Sequence, residues 1–481
     1  MLSTIDYREL LAKAVPAATD ADTEEPRPET FFTPHQHRRA LDANVSIVQG
    51  GRGVGKTWWF RALQDDQLRK VAIQRYALPE LDRVDCLPGF GTLRTNDYPG
   101  PRMLHRLVEQ LQFDPEDIWT AVALHGFGFA KVSALDGWEA RTRWVQDHPD
   151  AVEDALFELD KSRGASRRVG LLLFDALDRL NSDRAIADRL TNGLLRLALT
   201  LRTSTRNLRA KLFIRHDMFE SAGGEFPDAS KLTNNMVVLE WDAESLYSLL
   251  FHLMCTADTD LRKQFAAEAG WHEGKEGSAE ELTPVLHLIA SEYMGKNYRK
   301  GRTYSWIPKH LADGHGQASP RSFLSALGQA NERSKQTYAN HERALHWDAI
   351  REGVQHASEI RVREVAEDTP WVKRALAPLR GQQVPIEVRA VQDLWNQADL
   401  GGLLKAETAR TGDLVASESD QSENDTLVPT GPTDPAPDRL ILDLKDHGIF
   451  TERADGRLDL PDVYRIAFGV GRKGGVPLLR H

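Results

Sequence analysis

The sequence predicts an α/β fold built on a doubly wound parallel sheet. Segments with strand-like and helix-like patterns alternate between residues 31 and 240. The run VGLLLF at 169–174 is almost entirely apolar, as in a strand with both faces buried. A glycine-rich segment, GGRGVGKT at 50–57, stands between a β-rich run and a helical one. Together these observations predict a parallel sheet with helices on both faces.

The elements of this sheet follow from local patterns. β-Rich runs predict strands, and apolar positions at helical spacing predict helices. The turn-rich stretch CLPGFGTLRTNDYPG at 86–100 predicts a surface loop or an insertion. In chain order the predicted elements are a strand at 45–48, a helix at 58–70, helices across 101–163, a strand at 169–174, a helix at 183–205, and strands at 211–215 and 236–240.

The rest of the chain divides by composition. Residues 411–438 contain seven acidic residues and no Lys or Arg, which predicts a disordered acidic linker at 411–437. After it, a helix, a strand, an Asp455-Gly456 turn, a second strand and a last helix have the order of a winged helix. The predicted domains are an N-terminal helix and connector at 1–30, the sheet-containing core at 31–240, a helical lid at 241–335, a helical domain at 336–410, the linker, and a small winged-helix-like module at 438–481.

The bulk composition excludes several classes of protein. Two cysteines, far apart in 481 residues, exclude a disulfide framework and a cysteine zinc site. No apolar run is long enough to span a bilayer, and no secretory signal is visible, so we expect a cytoplasmic protein with no membrane partner. The net charge of −10 argues against a surface broadly adapted to nucleic acid.

The glycine-rich segment matches the phosphate-binding loop pattern G-x-x-x-x-G-K-[ST]. Glycines let backbone N–H groups approach a triphosphate closely, and the helix that follows favours anions at its N-terminus. The lysine is expected to reach the β- and γ-phosphates, and the threonine hydroxyl is expected to ligate Mg²⁺. The predicted ATP-binding residues are Gly50, Gly51, Arg52, Gly53, Val54, Gly55, Lys56, Thr57 and Trp58.

A second motif supplies the carboxylate that such a loop requires for its metal. Asp175 ends the apolar run, and we expect this run to form a strand adjacent to the loop. Asp178 is the candidate for orienting or deprotonating the attacking water, although it can also form a local ion pair with Arg179. Ala176 occupies the position where many related ATPases have Glu, so either Asp178 takes over that role or hydrolysis is slow.

Two arginines are candidates for sensing the γ-phosphate. Arg215 ends the predicted strand at 211–215, at the sheet edge where ligands bind, but a structural ion pair is an equal alternative. Arg321 opens a later helix and either leans over the nucleotide or is simply a solvated arginine at a helix start.

Several aromatic and histidine residues near the loop allow two interpretations. His35 and His37 have the spacing of a metal pair, but no Cys or acidic partner is nearby. Trp58 and Trp59 are more typical of core residues than of base-stacking ones. Phe31 and Phe32 precede the first strand, where an adenine can pack.

The stretches GGRGVGKT, LLLFDALDRL, KLFIRHDMF, NNMVVLEWDAESLYSLL and SPRSFLSAL resemble STAND and AAA+-type signalling ATPases, most closely bacterial KAP-like P-loop ATPases. The resemblance implies that Asp175 binds Mg²⁺, Asp178 assists hydrolysis, and Arg215 and Arg321 are sensor residues. It also implies an ATP-driven, homo-oligomeric switch. Many such proteins act in antiviral defence or stress signalling through an effector. No effector motif is visible in this chain, so the effector is expected to be a separate partner protein.

Two other hypotheses stay open. Arg465, Arg472, Lys473 and Arg480 lie in the last 19 residues without an acid, so the module at 438–481 is a candidate for contacting DNA. The module as a whole has eight basic and seven acidic residues, and a regulatory or protein-docking role is the alternative. If the module contacts DNA, the chain is expected to be a DNA-engaging AAA+-like ATPase. Alternatively, ATP has mainly a structural role and Ala176 marks impaired hydrolysis.

Overall fold

The computed structural model describes residues 1–16, 27–92, 95–181, 183–223, 229–406, 432 and 434–472. Most of the predicted acidic linker and residues 473–481, with Lys473 and Arg480, lie outside this part of the chain. Two compact units are present. The core unit comprises residues 26–240, and the helical unit comprises residues 1–25 and 241–481.

The core unit contains a five-stranded parallel sheet in the order β2-β3-β4-β1-β5. The non-sequential order requires crossover connections, as predicted for a doubly wound α/β fold. The strands are β1 (Ile47–Gln49), β2 (Val84–Phe90), β3 (Val169–Phe174), β4 (Leu208–Ile214) and β5 (Met236–Val238).

Alternate residues of β4 and β3 point to opposite faces of this sheet, and both faces are covered. On one face Phe174 packs edge-on against Trp119, with ring centroids 5.8 Å apart. On the other, Phe213 packs against Phe60, at 6.3 Å. Burial on both faces explains why VGLLLF could be recognised as a strand without polar alternation.

Helices connect the strands of the core unit. The P-loop helix, Lys56–Gln64, is shorter than predicted because Asp65 caps a new helix by accepting from the N–H groups of Gln67 and Leu68. The other helices of the unit are Asp66–Tyr76, Pro101–His105, a π-helix at Arg106–Gln110, Pro115–Gly126, Ala130–Ser133, Gly137–Asp147, Pro149–Ala165, Arg184–Ser204, His216–Gly223 and Ala229–Thr233, with short 3₁₀ helices at His35–Leu41, Pro79–Arg83 and Leu177–Arg179.

The prediction of a loop or insertion starting at residue 86 is wrong, because Cys86 to Phe90 belong to β2. Among the described strands, β2 lies at the edge of the sheet and pairs with β3, with a register shift between Pro88 and Phe90. An edge position tolerates proline, which cannot donate to a neighbouring strand. The proline and glycines that suggested a loop therefore mark an irregular edge strand.

The helical unit is built from both ends of the chain. The N-terminal helix Thr4–Ala14 is anchored by Arg8, whose guanidinium donates to the carbonyls of Tyr338, Ala339 and Ala344 at 2.8–3.0 Å. The other helices are Ala243–Thr256, Leu261–Ala269, Ala279–Ile289, Thr303–Leu311, Pro320–Thr337, Trp347–Asp368, Pro370–Leu376, Val388–Gln397, Pro437–Asp446 and Asp462–Arg465, and residues 400–406 are also helical.

The C-terminal module has the predicted helix, hairpin and helix, but its apolar core also includes residues that precede the predicted start of the module at 438. The hairpin of β7 (Thr451–Glu452) and β8 (Leu458–Asp459) follows the helix Pro437–Asp446. Buried side chains from 365–404 and from 440–470 form one cluster. β6 (Gln383–Val384) pairs with β9 (Gly471–Arg472) across the same span. Forty-four residues are too few for the module because its core needs the preceding helices.

Among the described residues, no helix combines the length and the apolar character required to cross a membrane.

Candidate functional site

The glycine-rich loop has a backbone that requires glycine at particular positions. It follows β1, and the N–H of Gly50 donates to the carbonyl of Ile214 at 3.1 Å. Gly53 and Gly55 have φ values of 71° and 101°, in the left-handed region that favours glycine. A Cβ on Gly50 would lie 2.7 Å from Cγ2 of Val54. The chain therefore turns tightly enough to enter a helix directly at Lys56.

Lys56 lies within the loop that it completes. Its ammonium donates to the carbonyls of Gly50 at 2.9 Å and Gly51 at 2.7 Å. Burial and the neighbouring Arg215 lower the pKa of Lys56 to about 8, while Asp175 and Asp178 oppose this shift. The side chain stays mainly charged at neutral pH, at the N-terminus of a helix that itself favours anions.

Asp175 is buried, with 2% of its surface exposed, at the carboxyl end of β3. Burial raises the pKa of Asp175 to about 6, although hydrogen bonding from Thr57 and the charge of Lys56 lower it. Within the described residues, Oδ2 has no hydrogen-bond partner. An unsatisfied buried carboxylate oxygen beside a threonine hydroxyl fits a Mg²⁺ site, because Mg²⁺ takes one or two protein oxygens and completes its shell with phosphate and water.

The strand that carries Asp175 is not adjacent to the strand that precedes the loop, contrary to the prediction. β4 lies between β3 and β1. All three strands are parallel, so their carboxyl ends meet at one edge of the sheet and Asp175 still reaches Thr57. The intervening β4 brings Arg215 to the same edge.

Asp178 lies in the 3₁₀ turn Leu177–Arg179 after β3 and is exposed. Its charge acts on both Lys56 and Asp175. No ion pair between Asp178 and Arg179 occurs in the described part of the chain, so the structure does not contain that alternative. Ala176 has φ 56° and ψ 39°, a left-handed conformation unusual for alanine, and this sharp bend directs the chain into the 3₁₀ turn.

Arg215 forms the ion pair that the sequence left open as an alternative. Its Nε and Nη2 donate to the two carboxylate oxygens of Asp217, each at 3.0 Å. A bidentate pair fixes the plane of the guanidinium. Arg215 also lies close enough to Lys56 to lower the pKa of that lysine. The sequence contained Asp217 in the F-I-R-x-D stretch, but only the geometry reveals its function as the acceptor that orients Arg215.

Arg321 belongs to the helical unit, in the first turn of the helix Pro320–Thr337. It is not a solvated arginine, because Nη1 donates to Oε1 of Glu364 at 2.8 Å. Arg361 donates to the other oxygen of Glu364 at 3.4 Å. A sensor role for Arg321 stays a prediction.

The aromatic and histidine residues near the loop have structural partners. His37 is buried and uses both ring nitrogens in hydrogen bonds, with Trp59 and with the carbonyl of Glu240, which leaves no nitrogen for a metal. No group of three or more His, Cys, Asp or Glu side chains suited to a metal occurs in the described ranges. Phe31 packs on Trp59 with ring centroids 5.3 Å apart, and Trp59 is a core residue. Trp58 is half-buried.

The described C-terminal arginines are engaged inside the module. Arg465 is fully buried and donates to Asp462. Arg472 donates to Asp459, and to Asp462 at 3.2 Å. The acids come from residues just before the segment that appeared basic, so the sequence pattern missed the pairing. Two of the four predicted phosphate contacts are therefore ion pairs of the fold.

No family model matches the chain, and no curated protein matches it. Similar solved structures include the ORC2 protein of Aeropyrum pernix in ADPNP and ADP complexes, with 13% identity, a TM-score of 0.33, and coverage of 91% of this chain and 94% of that chain. Cdc6p of Pyrobaculum aerophilum has 11% identity, a TM-score of 0.32, and coverage of 94% of each chain. Superpositions with TM-scores this low carry no argument about function.

Proposed function

We propose that the protein is a Mg²⁺-dependent ATPase that works as a nucleotide-driven molecular switch. One observation carries this proposal. The sheet brings a complete phosphate-binding loop to the edge where Asp175 lies beside Thr57, buried and with one oxygen that has no hydrogen-bond partner among the described residues. A purely structural carboxylate in such a position is expected to be fully hydrogen-bonded.

The loop residues have distinct tasks in this proposal. Backbone N–H groups of the loop and the ammonium of Lys56 bind the phosphates, because they place several donors around one anion. Thr57 and Asp175 would hold Mg²⁺, which when bound neutralises charge on the phosphate oxygens. Asp175 must be ionised to do so.

Hydrolysis requires a group that orients water, and Asp178 is the residue we assign to it. It is exposed at the same sheet edge and has no ion pair with Arg179 among the described residues. Asp178 would accept a proton from the attacking water or align that water by hydrogen bonding. Arg215, oriented by Asp217, supplies a fixed positive charge next to Lys56.

The remaining parts of the proposal rest on the resemblance to STAND and AAA+-type ATPases. We propose a cytoplasmic homo-oligomer that controls a separate partner protein in defence or signalling. The C-terminal module suits protein docking, because its described basic residues are largely paired with acids. The pairs are Lys445 with Glu452, Arg453 with Asp459, Arg457 with Asp455, Arg465 with Asp462, and Arg472 with Asp459 and Asp462.

DNA engagement is the second candidate, favoured by the helix-and-hairpin order of the module. Deleting residues 438–481 is not a clean test, because these residues share a core with 365–404. Charge reversal at Arg439, which is exposed, leaves that core intact. Salt-sensitive binding to duplex DNA that disappears in the Arg439→Glu variant would favour this candidate.

Steady-state ATP hydrolysis tests the main proposal. Purified wild type is compared with Asp175→Ala, with and without duplex DNA and with Mg²⁺ present. The matched control is Asp154→Ala, which removes an exposed carboxylate from the helix Pro149–Ala165 of the same unit. We expect turnover in wild type and in Asp154→Ala, none in Asp175→Ala, and no dependence on DNA.

Other outcomes select the alternatives. Turnover that rises several-fold with DNA would favour the DNA-engaging ATPase. Tight ATP binding without turnover would favour a structural role for the nucleotide and the impaired hydrolysis suggested by Ala176. Turnover unchanged in Asp175→Ala would refute the assignment of the metal site.

A further inference from the structure

Residues 31–37, here called the bridging segment, join the P-loop helix to the end of β5. Trp59, in the first turn of that helix, donates its indole N–H to Nδ1 of His37 at 3.0 Å. Nε2 of His37 lies 2.9 Å from the carbonyl oxygen of Glu240. Gln36 donates to the same oxygen at 2.7 Å. A buried line of hydrogen bonds thus runs from the helix to Glu240.

The chemistry of the three groups fixes the direction of these bonds. An indole nitrogen only donates, so Nδ1 of His37 must accept. The neutral imidazole then has its proton on Nε2, which donates to the carbonyl of Glu240. His37 has 1% of its surface exposed and Trp59 has 3%, so water does not compete for these bonds.

This line of hydrogen bonds begins beside the phosphate-binding lysine and ends at the last residue of the core unit. Trp59 lies three residues after Lys56, on nearly the same face of the helix. Glu240 is the last residue of the core unit, where the chain leaves it. The loop also lies near this exit, since a Cβ added to Gly50 would be 3.5 Å from Leu239. The N–H of Leu239 donates to Gln49 at 2.8 Å.

Packing makes the bridging segment stiff enough to transmit a small movement. Phe31 packs edge-on against Trp59, with ring centroids 5.3 Å apart. The rings of Tyr76 and Trp59 have centroids 6.1 Å apart, and the Tyr76 hydroxyl donates to the carbonyl of Pro34 at 2.6 Å. A shift of the helix N-terminus therefore moves the segment with it, because closely packed side chains cannot absorb the displacement.

We propose that Trp59 and His37 are positioning residues that report occupation of the phosphate-binding loop to the backbone at Glu240. The inference rests on the proposed function, since it concerns the regulation of the same nucleotide site. When phosphates order the loop, the P-loop helix shifts, and the indole–imidazole–carbonyl line changes the backbone at the exit from the core unit.

Hydrogen exchange of full-length protein tests this inference, with and without Mg²⁺ and ADP or a non-hydrolysable ATP analogue. The readouts are nucleotide affinity and the exchange of amides at 239–242. Trp59→Phe keeps an aromatic ring but removes the indole donor. The matched control is Trp144→Phe in the same unit, because the indole nitrogen of Trp144 has no hydrogen-bond acceptor in the described residues.

We expect nucleotide to slow exchange at 239–242 in wild type and in Trp144→Phe. In Trp59→Phe we expect unchanged nucleotide affinity and loss of this response, since one hydrogen bond is worth about fivefold in an equilibrium. His37→Gln is a second variant with the same expected loss, which covers the case that Trp59→Phe does not fold. Its amide can donate to Glu240 but does not reproduce the Nδ1 acceptor.

An undiminished response at 239–242 in either folded variant would overturn the inference, and so would the absence of a response in wild type that binds nucleotide. Failure of wild type to bind nucleotide would instead refute the proposed function. The affinity measurement separates these results.

Discussion

Lys211 offers a sharp test of how the core unit is held together. It lies in β4 with 0% of its surface exposed. Its ammonium donates to the carbonyls of Ala40 at 2.7 Å and of Asp42 and Val45 at 2.8 Å each. These carbonyls lie at the end of the 3₁₀ helix His35–Leu41 and just before β1. The lysine therefore attaches the 3₁₀ helix His35–Leu41 and the start of β1 to β4, at the centre of the sheet.

The substitution Lys211→Met preserves the length and most of the apolar volume of the side chain and removes its three donors. A hydrogen bond contributes about 1 kcal/mol net, and at pH 7 the buried side chain is about half ammonium, with three donors, and half amine, with two, so its loss predicts destabilisation of the core unit by about 2–3 kcal/mol. The matched control is Lys161→Met, because the side chain of Lys161 is 68% exposed. An exposed substitution of this kind is expected to change stability by less than about 0.5 kcal/mol.

The difference in the free energy of unfolding between wild type and Lys211→Met also depends on pH. Burial lowers the pKa of Lys211 to about 7 from its model-compound value of 10.5. Between these values the unfolded chain binds a proton that the folded chain releases, so wild-type stability rises with pH by at most about 1.4 kcal/mol per unit. The variant lacks this contribution, and the difference widens from pH 7 to pH 9. Lys56 also has a lowered pKa, but it is present in both proteins, so its contribution to the pH dependence cancels in the comparison.

Urea unfolding at pH 7, 8 and 9 measures both effects. Hydrogen exchange of amides in β1 and β4 gives the stability of the unit that contains Lys211, which avoids assuming one transition for the whole chain. The reasoning would be refuted if Lys211→Met lost no more stability than the Lys161→Met control, within about 0.5 kcal/mol. It would also be refuted if the stability difference between wild type and Lys211→Met did not change with pH.

Four further outcomes are expected. Lys56→Ala should abolish nucleotide binding with unchanged circular dichroism; normal ATP affinity by calorimetry would exclude the loop assignment. Asp178→Asn should bind ATP and lose hydrolysis, and an unchanged kcat would remove Asp178 from the proposed mechanism. Burial raises the pKa of Asp175 to about 6. Protons then compete with Mg²⁺ as the pH falls below about 6, and Mg²⁺-dependent nucleotide affinity should drop up to about tenfold per unit; a flat profile from pH 7 to pH 5 would contradict this. Asp462→Asn leaves the buried Arg465 without its carboxylate, which should destabilise the helical unit by about 3–5 kcal/mol in thermal unfolding; an unshifted transition would show that the pair contributes little.

The sequence predicted the central strands well because burial on both faces leaves an apolar pattern, as in VGLLLF at 169–174. It missed β2, since an edge strand tolerates the Pro88 and Gly89 that usually mark a loop. It could not give the spatial order of strands, so β4 was not expected between β1 and β3. Strand order is set by crossover connections whose packing no local pattern records.

The candidate site was predicted at its phosphate-binding loop and at Asp175, where motif spacing reflects a local backbone requirement. Relations between distant residues were not predicted. Lys211 was interpreted only as the start of a strand, although its partners lie 166–171 residues earlier. Arg472 appeared to be a surface cation because its partners Asp459 and Asp462 precede the basic stretch. Local composition does not show which charges face each other.

The anchoring of Arg8 has a consequence for synthesis of the chain on the ribosome. Its acceptor at Ala339 lies 331 residues later. At about 5–20 residues per second, the N-terminal helix waits roughly 15–70 s for this partner to be made. The core unit, residues 26–240, is translated within that interval. A nascent chain therefore completes its sheet first and closes its first helix onto the last-made third of the protein, so premature termination before residue 338 leaves Arg8 without the acceptors at Tyr338, Ala339 and Ala344.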